Sequence, residues 1–252
     1  MDSTERFSGK ADVYERCRPG YPAAWLDDLA RVHGLSCGSV VADVGSGTGK
    51  LTRQLLERGL TVYAVEPNDE MRAVAEQALG GNERFRSWKG TAESTELESG
   101  CADLVTVGQA FHWFDAAQFR TECRRILRVG GRVALVWNSR VEHDPVVVAN
   151  ARICASFCPE FRGFSGGMNE EDDAGFVRFF RNGMYEFREY ANDLTFDWAA
   201  FLGRNLSASY ALQEGEPGYA AYVDALARLF ESANRDGLLT IPHRTRSYWG
   251  EV

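Results

Sequence analysis

Short apolar runs alternate with stretches of helical periodicity through the first half of the chain. The runs that we predict to be strands are 40–44, 61–65, 84–88, 102–107 and 132–137. The helices that we predict between and before them begin at Pro22, Thr48, Asn68 and Asp115, with Thr48 and Asn68 as N-cap residues. Alternation of apolar strands with amphipathic helices predicts an α/β fold, in which a doubly wound, mostly parallel sheet is covered by helices on both faces.

The pattern changes after Asn138. Residues 139–182 contain helical pieces and a polar, glycine-rich stretch, which indicates a cap. Beyond it we predict a strand over 184–194, helices over 196–206 and 217–235, and a β-rich end over 237–249. We therefore expect one domain, with a lid and helix at 1–35, a core at 36–138, a cap at 139–182 and completion of the sheet at 183–252.

Composition narrows the class of protein. The 252 residues are 44% hydrophobic and 25% charged, which is ordinary for a globular protein, and the net charge of −8 argues against a nucleic-acid backbone as the main partner. No apolar run reaches the roughly 18 residues needed to span a bilayer, and residues 1–6 lack a signal-peptide core. Six scattered cysteines without a Cys-x-x-Cys pair suggest reduced thiols. We expect a cytoplasmic protein without a metal site.

A glycine-rich turn between two acids indicates where a ligand binds. The first strand runs through Asp43 into Gly45-Ser46-Gly47-Thr48-Gly49, and the second strand ends in Glu66. A parallel βαβ unit presents a nucleoside pocket in this way, because glycine lets the backbone approach a ligand closely. Glu66 can accept hydrogen bonds from both hydroxyls of a ribose.

The spacing of the glycines distinguishes between ligands. Dinucleotide folds favour Gly-x-Gly-x-x-Gly, with a pyrophosphate at the helix N-terminus. Here the third glycine comes one residue early, and Asp43 would repel a pyrophosphate. An acid at this point suits a ligand that carries an ammonium group, such as the methionine portion of S-adenosylmethionine.

With the later segment Gln109-Ala110-Phe111-His112-Trp113-Phe114-Asp115, the chain resembles the class I S-adenosylmethionine-dependent methyltransferases. More narrowly, it is similar to their small-molecule branch, the methyltransferase type 11 group that includes trans-aconitate methyltransferase-like proteins. The resemblance covers residues 7–138 best. It implies a Rossmann-like sheet of seven strands that an antiparallel C-terminal hairpin completes, and S-adenosylhomocysteine as the product of the cofactor.

The resemblance also implies a cofactor site. The glycine-rich turn would lie against the methionine portion, Asp43 would hold its ammonium group, Glu66 the ribose, and Arg18 of the N-terminal lid the carboxylate. The residues expected to bind the cofactor are Arg18, Asp43, Gly45, Ser46, Gly47, Gly49, Glu66, Pro67, Met71, Thr91, Ala92, Glu93 and Gln109. Pro67 and Met71 would pack on the adenine, whose edge the segment 91–93 would receive.

Residues near the fourth and fifth strands would face the methyl acceptor. His112 is a candidate general base, although a structural histidine bonded to a backbone carbonyl fits the same sequence. The residues expected to bind the acceptor are Tyr14, Tyr21, His112, Trp113, Trp137 and Arg140. A base is needed only if the attacking group is protonated, since methyl transfer mainly requires alignment and exclusion of water.

The expected activity is methyl transfer to a small molecule, with oxygen favoured as the attacking atom by family analogy. The alternative is an S-adenosylmethionine-binding protein without turnover, acting as a regulator or partner subunit. The early third glycine and Asp43 count against a nicotinamide-dependent oxidoreductase. A nucleic-acid methyltransferase is disfavoured by the acidic charge and by the absence of an Asn/Asp-Pro-Pro-Tyr/Phe motif after the fourth strand. The oligomeric state is expected to be monomeric or homodimeric.

Overall fold

A seven-stranded sheet forms the centre of the computed structural model, which describes residues 20–164, 173–208 and 210–252. The strands of the described residues are β1 (Val40–Val44), β2 (Thr61–Val65), β3 (Phe85–Trp88), β4 (Ala102–Gly108), β5 (Leu127–Arg140), β6 (Glu186–Ala191), β7 (Leu194–Phe196), β8 (Leu239–Ile241) and β9 (His243–Gly250). Of these, β7 and β8 form a separate two-stranded sheet. The order in the main sheet is β3-β2-β1-β4-β5-β9-β6. β1 to β5 pair in parallel, whereas β9 is antiparallel to both β5 and β6. The predicted fold class is confirmed.

Helices connect the strands in the part of the chain that the structure describes. They are α1 (Ala23–Val32), α2 (Lys50–Leu56), α3 (Asp69–Leu79), α4 (Ala116–Ile126), α5 (Pro145–Phe157), α6 (Asp173–Phe179), α7 (Trp198–Leu206) and α8 (Tyr219–Ala233), with 3₁₀ turns at Phe111–Trp113 and Arg181–Gly183. Asn68 and Asp115 cap α3 and α4 through their side chains, as predicted. The prediction that Thr48 caps α2 is wrong: the cap is Gly49, with a φ of +85°, because the turn must reverse through a left-handed residue.

The sheet separates two hydrophobic clusters. On one face Trp25, Leu55 and Trp249 are fully buried together, and on the other Phe119 and Ile126 pack against the strands. β5 is longer at both ends than the predicted 132–137, because its first residues pair with β4 across a bulge and its last pair with β9. The extension carries the strand beyond the two clusters to Arg140.

A third cluster lies in the connection between β5 and β9. It packs α5, α7 and α8 around the buried side chains of Phe201, Tyr222 and Leu226, together with the small antiparallel sheet of β7 and β8. From here on, the cap means this unit of α5, α7, α8, β7 and β8, and not the predicted segment 139–182. α5 follows β5 and β8 precedes β9, so the cap is attached at the carboxyl end of β5. The division of the chain into one domain with these boundaries stays a prediction.

Several expectations concern residues that the structure does not describe. Tyr14, Arg18 and Cys17 precede residue 20, and most of the polar glycine-rich stretch lies within 165–172. The remaining cysteines, all within the described ranges, are free thiols, with Cys123, Cys154 and Cys158 buried. Among residues 20–164, 173–208 and 210–252, no helix combines the length and the apolar character that crossing a membrane requires.

Candidate active site

A cleft opens at the carboxyl ends of β1 and β4, where ligands bind in open α/β sheets. Its volume, including the open mouth, is about 520 Å³. The lining residues are Tyr21, Asp43, Gly45, Ser46, Gly47, Thr48, Lys50, Leu51, Gly108 and Gln109. Six of these ten were predicted from the sequence: Tyr21, Asp43, Gly45, Ser46, Gly47 and Gln109. The fold therefore gathers residues that are up to 88 positions apart in the sequence around one space.

The glycine-rich turn needs its glycines for two different reasons. Gly45 and Gly47 have φ of +70° and +58°, and a Cβ built on Gly45 would lie 2.8 Å from the Cβ of Ala110. A side chain at this point would therefore collide with the segment after β4 as well as strain the backbone. Gly49 serves packing, because a Cβ there would lie 2.8 Å from the Leu79 side chain of α3.

Asp43 is a buried carboxylate that two hydroxyls hold in place. Its Oδ2 accepts a hydrogen bond from Thr52 Oγ1 at 2.6 Å, and its Oδ1 accepts one from Thr106 Oγ1 at 3.1 Å. The pKa of Asp43 is raised to about 6, chiefly by burial and to a smaller extent by the nearby charge of Glu66, while these hydrogen bonds oppose the shift. A cation in the cleft would relieve the cost of keeping Asp43 ionised.

Glu66 links the end of β2 to the glycine-rich turn. Its Oε2 accepts the backbone N–H of Gly47 and its Oε1 that of Asn68, each at 2.9 Å. The side chain is largely buried, and this burial raises its pKa, although the two amide donors oppose the shift. Each carboxylate oxygen has a second lone pair, so Glu66 retains capacity to accept hydrogen bonds from a ligand.

The residues predicted to surround an adenine lie on the β2 side of the turn. Met71 Sδ is 3.9 Å from the point where a Cβ on Gly47 would stand, and Pro67 is half-buried nearby in sequence. Ala92 is buried. Thr91 Oγ1 accepts the N–H of Ser94, so it stabilises a local turn. Glu93 Oε1 accepts the N–H of Asp115, which joins the 91–93 segment to the start of α4.

The segment after β4 turns sharply at the mouth of the cleft. Gln109 has a φ of +62°, an uncommon conformation for a residue with a side chain, and its N–H donates to Val136 O at 2.9 Å. The half-buried ring of His112 lies 4.7 Å from that of Trp113, which is 42% exposed. His112 Nδ1 is buried without a hydrogen-bond partner among the described residues, and burial lowers the pKa of the ring.

Tyr21 closes one side of the cleft. A Cβ built on Gly108 would stand 2.5 Å from the Tyr21 hydroxyl, so the absence of a side chain there admits the ring. The preceding carbonyl, Gly20 O, accepts hydrogen bonds from Asn138 Nδ2 and Asn192 Nδ2, each at 3.1 Å. These bonds hold the start of the described chain against β5 and the residue that follows β6.

Two other predicted acceptor-binding residues lie away from the cleft lining. Trp137 is 4% exposed and packs edge-on against Phe111 and Tyr248, inside the second hydrophobic cluster. Arg140 stands at the end of β5, with its guanidinium carbon 4.0 Å from the centre of the Phe164 ring. Arg140 thus faces the cap.

Sequence reasoning missed the residues whose roles depend on distant partners. Thr52 on α2 and Thr106 on β4 gave no signal as partners of Asp43, because only the sheet brings the three together. Gly108 also lines the cleft. The sequence could have indicated this, because Gly108 follows an apolar strand and directly precedes the predicted motif at Gln109.

Comparisons with known proteins show a similarity to methyltransferases. Residues 42–135 match the family model described as "Methyltransferase domain". An uncharacterized methyltransferase of Mycobacterium tuberculosis is 43% identical over 141 residues, which is 56% of this chain and 55% of that protein. One of Schizosaccharomyces pombe is 35% identical over 144 residues, 55% of each. The chain thus spans about half the length of the curated relatives it matches.

Solved structures share the fold over a longer stretch. A protein of Anaeromyxobacter dehalogenans, named as a type II methyltransferase, aligns with a TM-score of 0.68 and 24% identity, covering 93% of this chain and 97% of that one. An N-methyltransferase of Haemonchus contortus, in complex with phosphomonomethylethanolamine and S-adenosylhomocysteine, aligns with a TM-score of 0.53 and 15% identity. That alignment covers 100% of this chain and 60% of the other. At these identities the likeness extends to the fold alone.

Proposed function

We propose that the chain transfers the methyl group of S-adenosylmethionine to a small molecule, because residues 42–135 match a methyltransferase-domain family and lie within the seven-stranded sheet. The observation that carries the proposal is the pair of buried acids, Asp43 and Glu66, on either side of the glycine-rich turn. This arrangement was predicted from the sequence, and it suits a ligand with a cation at one end and a diol at the other.

The residues present fit this cofactor. Glu66 retains lone pairs for the ribose hydroxyls, and its bonds to Gly47 and Asn68 hold the carboxylate in a fixed orientation. Asp43 lines the cleft and would gain an ionic partner in the amino group of the methionine portion. Asp43 beside the turn would repel the pyrophosphate of a dinucleotide, which supports S-adenosylmethionine over NAD, whereas an acid at the position of Glu66 suits the ribose of either cofactor.

S-adenosylmethionine supplies an electrophilic methyl group on a sulfonium, so the protein has to align the acceptor and exclude water. Tyr21 covers the cleft above Gly108 and would limit access of water from that side. His112, with its lowered pKa, is neutral near pH 7 and could take the proton of a hydroxyl nucleophile. This role fits attack by oxygen, which we favour over nitrogen and carbon.

The remaining expectations form part of the same proposal. We propose a single methyltransferase domain in which the cap selects the acceptor, since the cap is attached where β5 leaves the cleft. A cytoplasmic location and a monomeric or homodimeric state stay predictions from the sequence.

Calorimetric titration of the purified chain with S-adenosylmethionine, S-adenosylhomocysteine and NAD tests the proposal. We expect micromolar binding of the two sulfur ligands and none of NAD. A screen of small acceptors with labelled methyl donor would follow. Absence of binding by both sulfur ligands would overturn the proposal, and binding without transfer to any acceptor would favour a regulatory or partner protein.

A further inference from the structure

A buried polar cluster lies where β5 and β9 meet the cap. Arg140 and His243 are register partners on the two antiparallel strands. α7 contributes Arg204 from the cap, beside Asn205, whose Oδ1 lies 3.9 Å from Cys154 Sγ in α5. The aromatic rings of Phe164, Phe161 and Tyr210 follow one another in edge-on contacts at 5.1 and 5.0 Å, and Arg140 stacks over the first of them.

His243 is fully buried, and one of its ring nitrogens lacks a hydrogen-bond partner among the described residues. Nδ1 lies 2.9 Å from the carbonyl oxygen of Ile241, which can only accept, so Nδ1 carries the hydrogen. Nε2 is then the nitrogen with the lone pair. It is buried and has no hydrogen-bond partner within the described ranges. Leaving a buried acceptor without a hydrogen bond is unfavourable, so an occupant that donates to it would be stabilising.

The charges around the ring favour an anion. The pKa of His243 is lowered to about 4, chiefly by burial and also by the guanidiniums of Arg204 and Arg140, while the hydrogen bond to Ile241 O and the charge of Asp193 oppose the shift. The carboxylate of Asp193 accepts the backbone N–H of His243 at 3.3 Å, so it stands on the main-chain side of the residue. Arg140 and Arg204 therefore both act electrostatically on the ring, and the imidazole itself is neutral near pH 7.

The cluster continues directly from the cofactor cleft. Gln109, which lines the cleft, donates through Nε2 to Asn138 O at 3.3 Å. Arg140 is two residues further along β5, a distance of about 7 Å at strand geometry. Asn138 also donates to the carbonyl of Gly20, next to Tyr21. An acceptor held at the cluster would thus reach toward the mouth of the cleft.

We propose that Arg140, Arg204 and Nε2 of His243 recognise the methyl acceptor, and that this acceptor carries an anionic oxyacid group beside a hydroxyl. The inference rests on the proposed function. Guanidiniums bind carboxylate and phosphate through directed, charge-assisted hydrogen bonds. The neutral Nε2 accepts a hydrogen bond from the hydroxyl, which a second anionic group could not provide. The acceptor class is therefore a small hydroxy acid or a phosphate ester with a free hydroxyl.

Calorimetry on the full chain saturated with S-adenosylhomocysteine tests the inference. The probes are malate, succinate, which lacks the hydroxyl, and glycerol 3-phosphate. We expect malate or glycerol 3-phosphate to bind, with the tighter of the two identifying the oxyacid, and succinate to bind several-fold more weakly than malate if the group is a carboxylate. Arg204→Gln should weaken the binding at least tenfold, as loss of a charged hydrogen bond does.

Matched variants separate recognition from folding. Arg152→Gln, an exposed arginine on α5, should leave every affinity unchanged. His243→Gln should reduce the advantage of the hydroxyl-bearing probe, and Arg204→Gln, at a half-buried position, stands in if that variant does not fold. Failure of S-adenosylhomocysteine to bind would overturn the proposed function itself. Normal binding of that ligand, with no anionic probe bound at millimolar concentration or with equal effects of Arg204→Gln and Arg152→Gln, would overturn this inference alone.

Discussion

The carboxylate of Glu66 accepts the backbone N–H of Gly47 at 2.9 Å, which joins the end of β2 to the turn after β1. The second oxygen accepts the N–H of Asn68, the residue that caps α3. One side chain therefore holds the glycine-rich turn and the start of a helix in a fixed relation. The same carboxylate is the proposed ribose ligand, so structural and binding roles coincide in one residue.

Replacing this residue tests both roles. Glu66→Gln keeps the shape but removes the charge and one acceptor, and we expect S-adenosylmethionine to bind more weakly by about 1–3 kcal/mol. Titration calorimetry gives the affinity. Glu57→Gln, at the end of α2, is the exposed control and should bind as the native chain does. Equal affinities of Glu66→Gln and the control would refute the ribose assignment.

The close contact between Tyr21 and Gly108 predicts that a change at one residue can restore the stability lost by a change at the other. Gly108→Ala places a methyl group 2.5 Å from the Tyr21 hydroxyl, so the ring must shift, at a cost of about 1–3 kcal/mol in the free energy of unfolding. Tyr21→Phe removes the oxygen and leaves the nearest ring carbon at 3.3 Å. The double variant should recover most of the stability, as measured by urea denaturation. Additive losses in the double variant would show that the two residues do not interact in this way.

Asp43 gives stability a specific pH dependence. Its pKa is about 6 in the folded chain against an ordinary value of 3.8, so the folded state binds more protons between these values. Stability contributed by the protonated form is present below pH 4 and is lost as the pH rises to about 6. With 1.36 kcal/mol for each pKa unit, the loss is about 3 kcal/mol.

The Asp43→Asn variant should not show this pH-dependent loss of stability. The free energy of unfolding of the variant, relative to the native chain, should rise between pH 4 and 6 and then remain level to pH 7.5. Urea denaturation at five pH values measures it, with Asp224→Asn on the exposed surface of α8 as control. A difference that does not change with pH would contradict the raised pKa. The same variant should bind S-adenosylmethionine more weakly, because the partner of the ammonium group is lost.

His112 should affect turnover and spare the cofactor. His112→Gln is expected to lower kcat by about 10²-fold or more, as loss of a general base does, with unchanged affinity for S-adenosylhomocysteine. Since burial lowers the pKa of the ring, native turnover should fall to half its maximum at a pH below the value of about 6.5 expected for an ordinary histidine. Steady-state assays on an acceptor found in the labelled screen test this. Unchanged kcat in the variant would leave His112 a structural residue.

Local sequence determined most of the helices and strands of this protein. Period-2 and 3.6-residue patterns, with caps at Asn68 and Asp115, depend on neighbours within one turn or one strand, and these predictions agree with the structure. The glycine spacing and the acids at Asp43 and Glu66 were equally local. The N-cap residue of α2 could not be predicted from its neighbours in the sequence. Gly49 takes that position because its left-handed backbone lets the turn pack against Leu79 of a later helix.

Only the tertiary structure decided which side chains meet across the sheet. Thr106 reaches Asp43 because β4 lies beside β1, and His243 faces Arg140 because β9 returns antiparallel to β5 after the whole cap. Strand order and register are set by the burial of two hydrophobic clusters on opposite faces, and not by any short segment. The sequence by itself therefore determined the elements and the ends of β1 and β2, and long-range packing determined the partners of those ends.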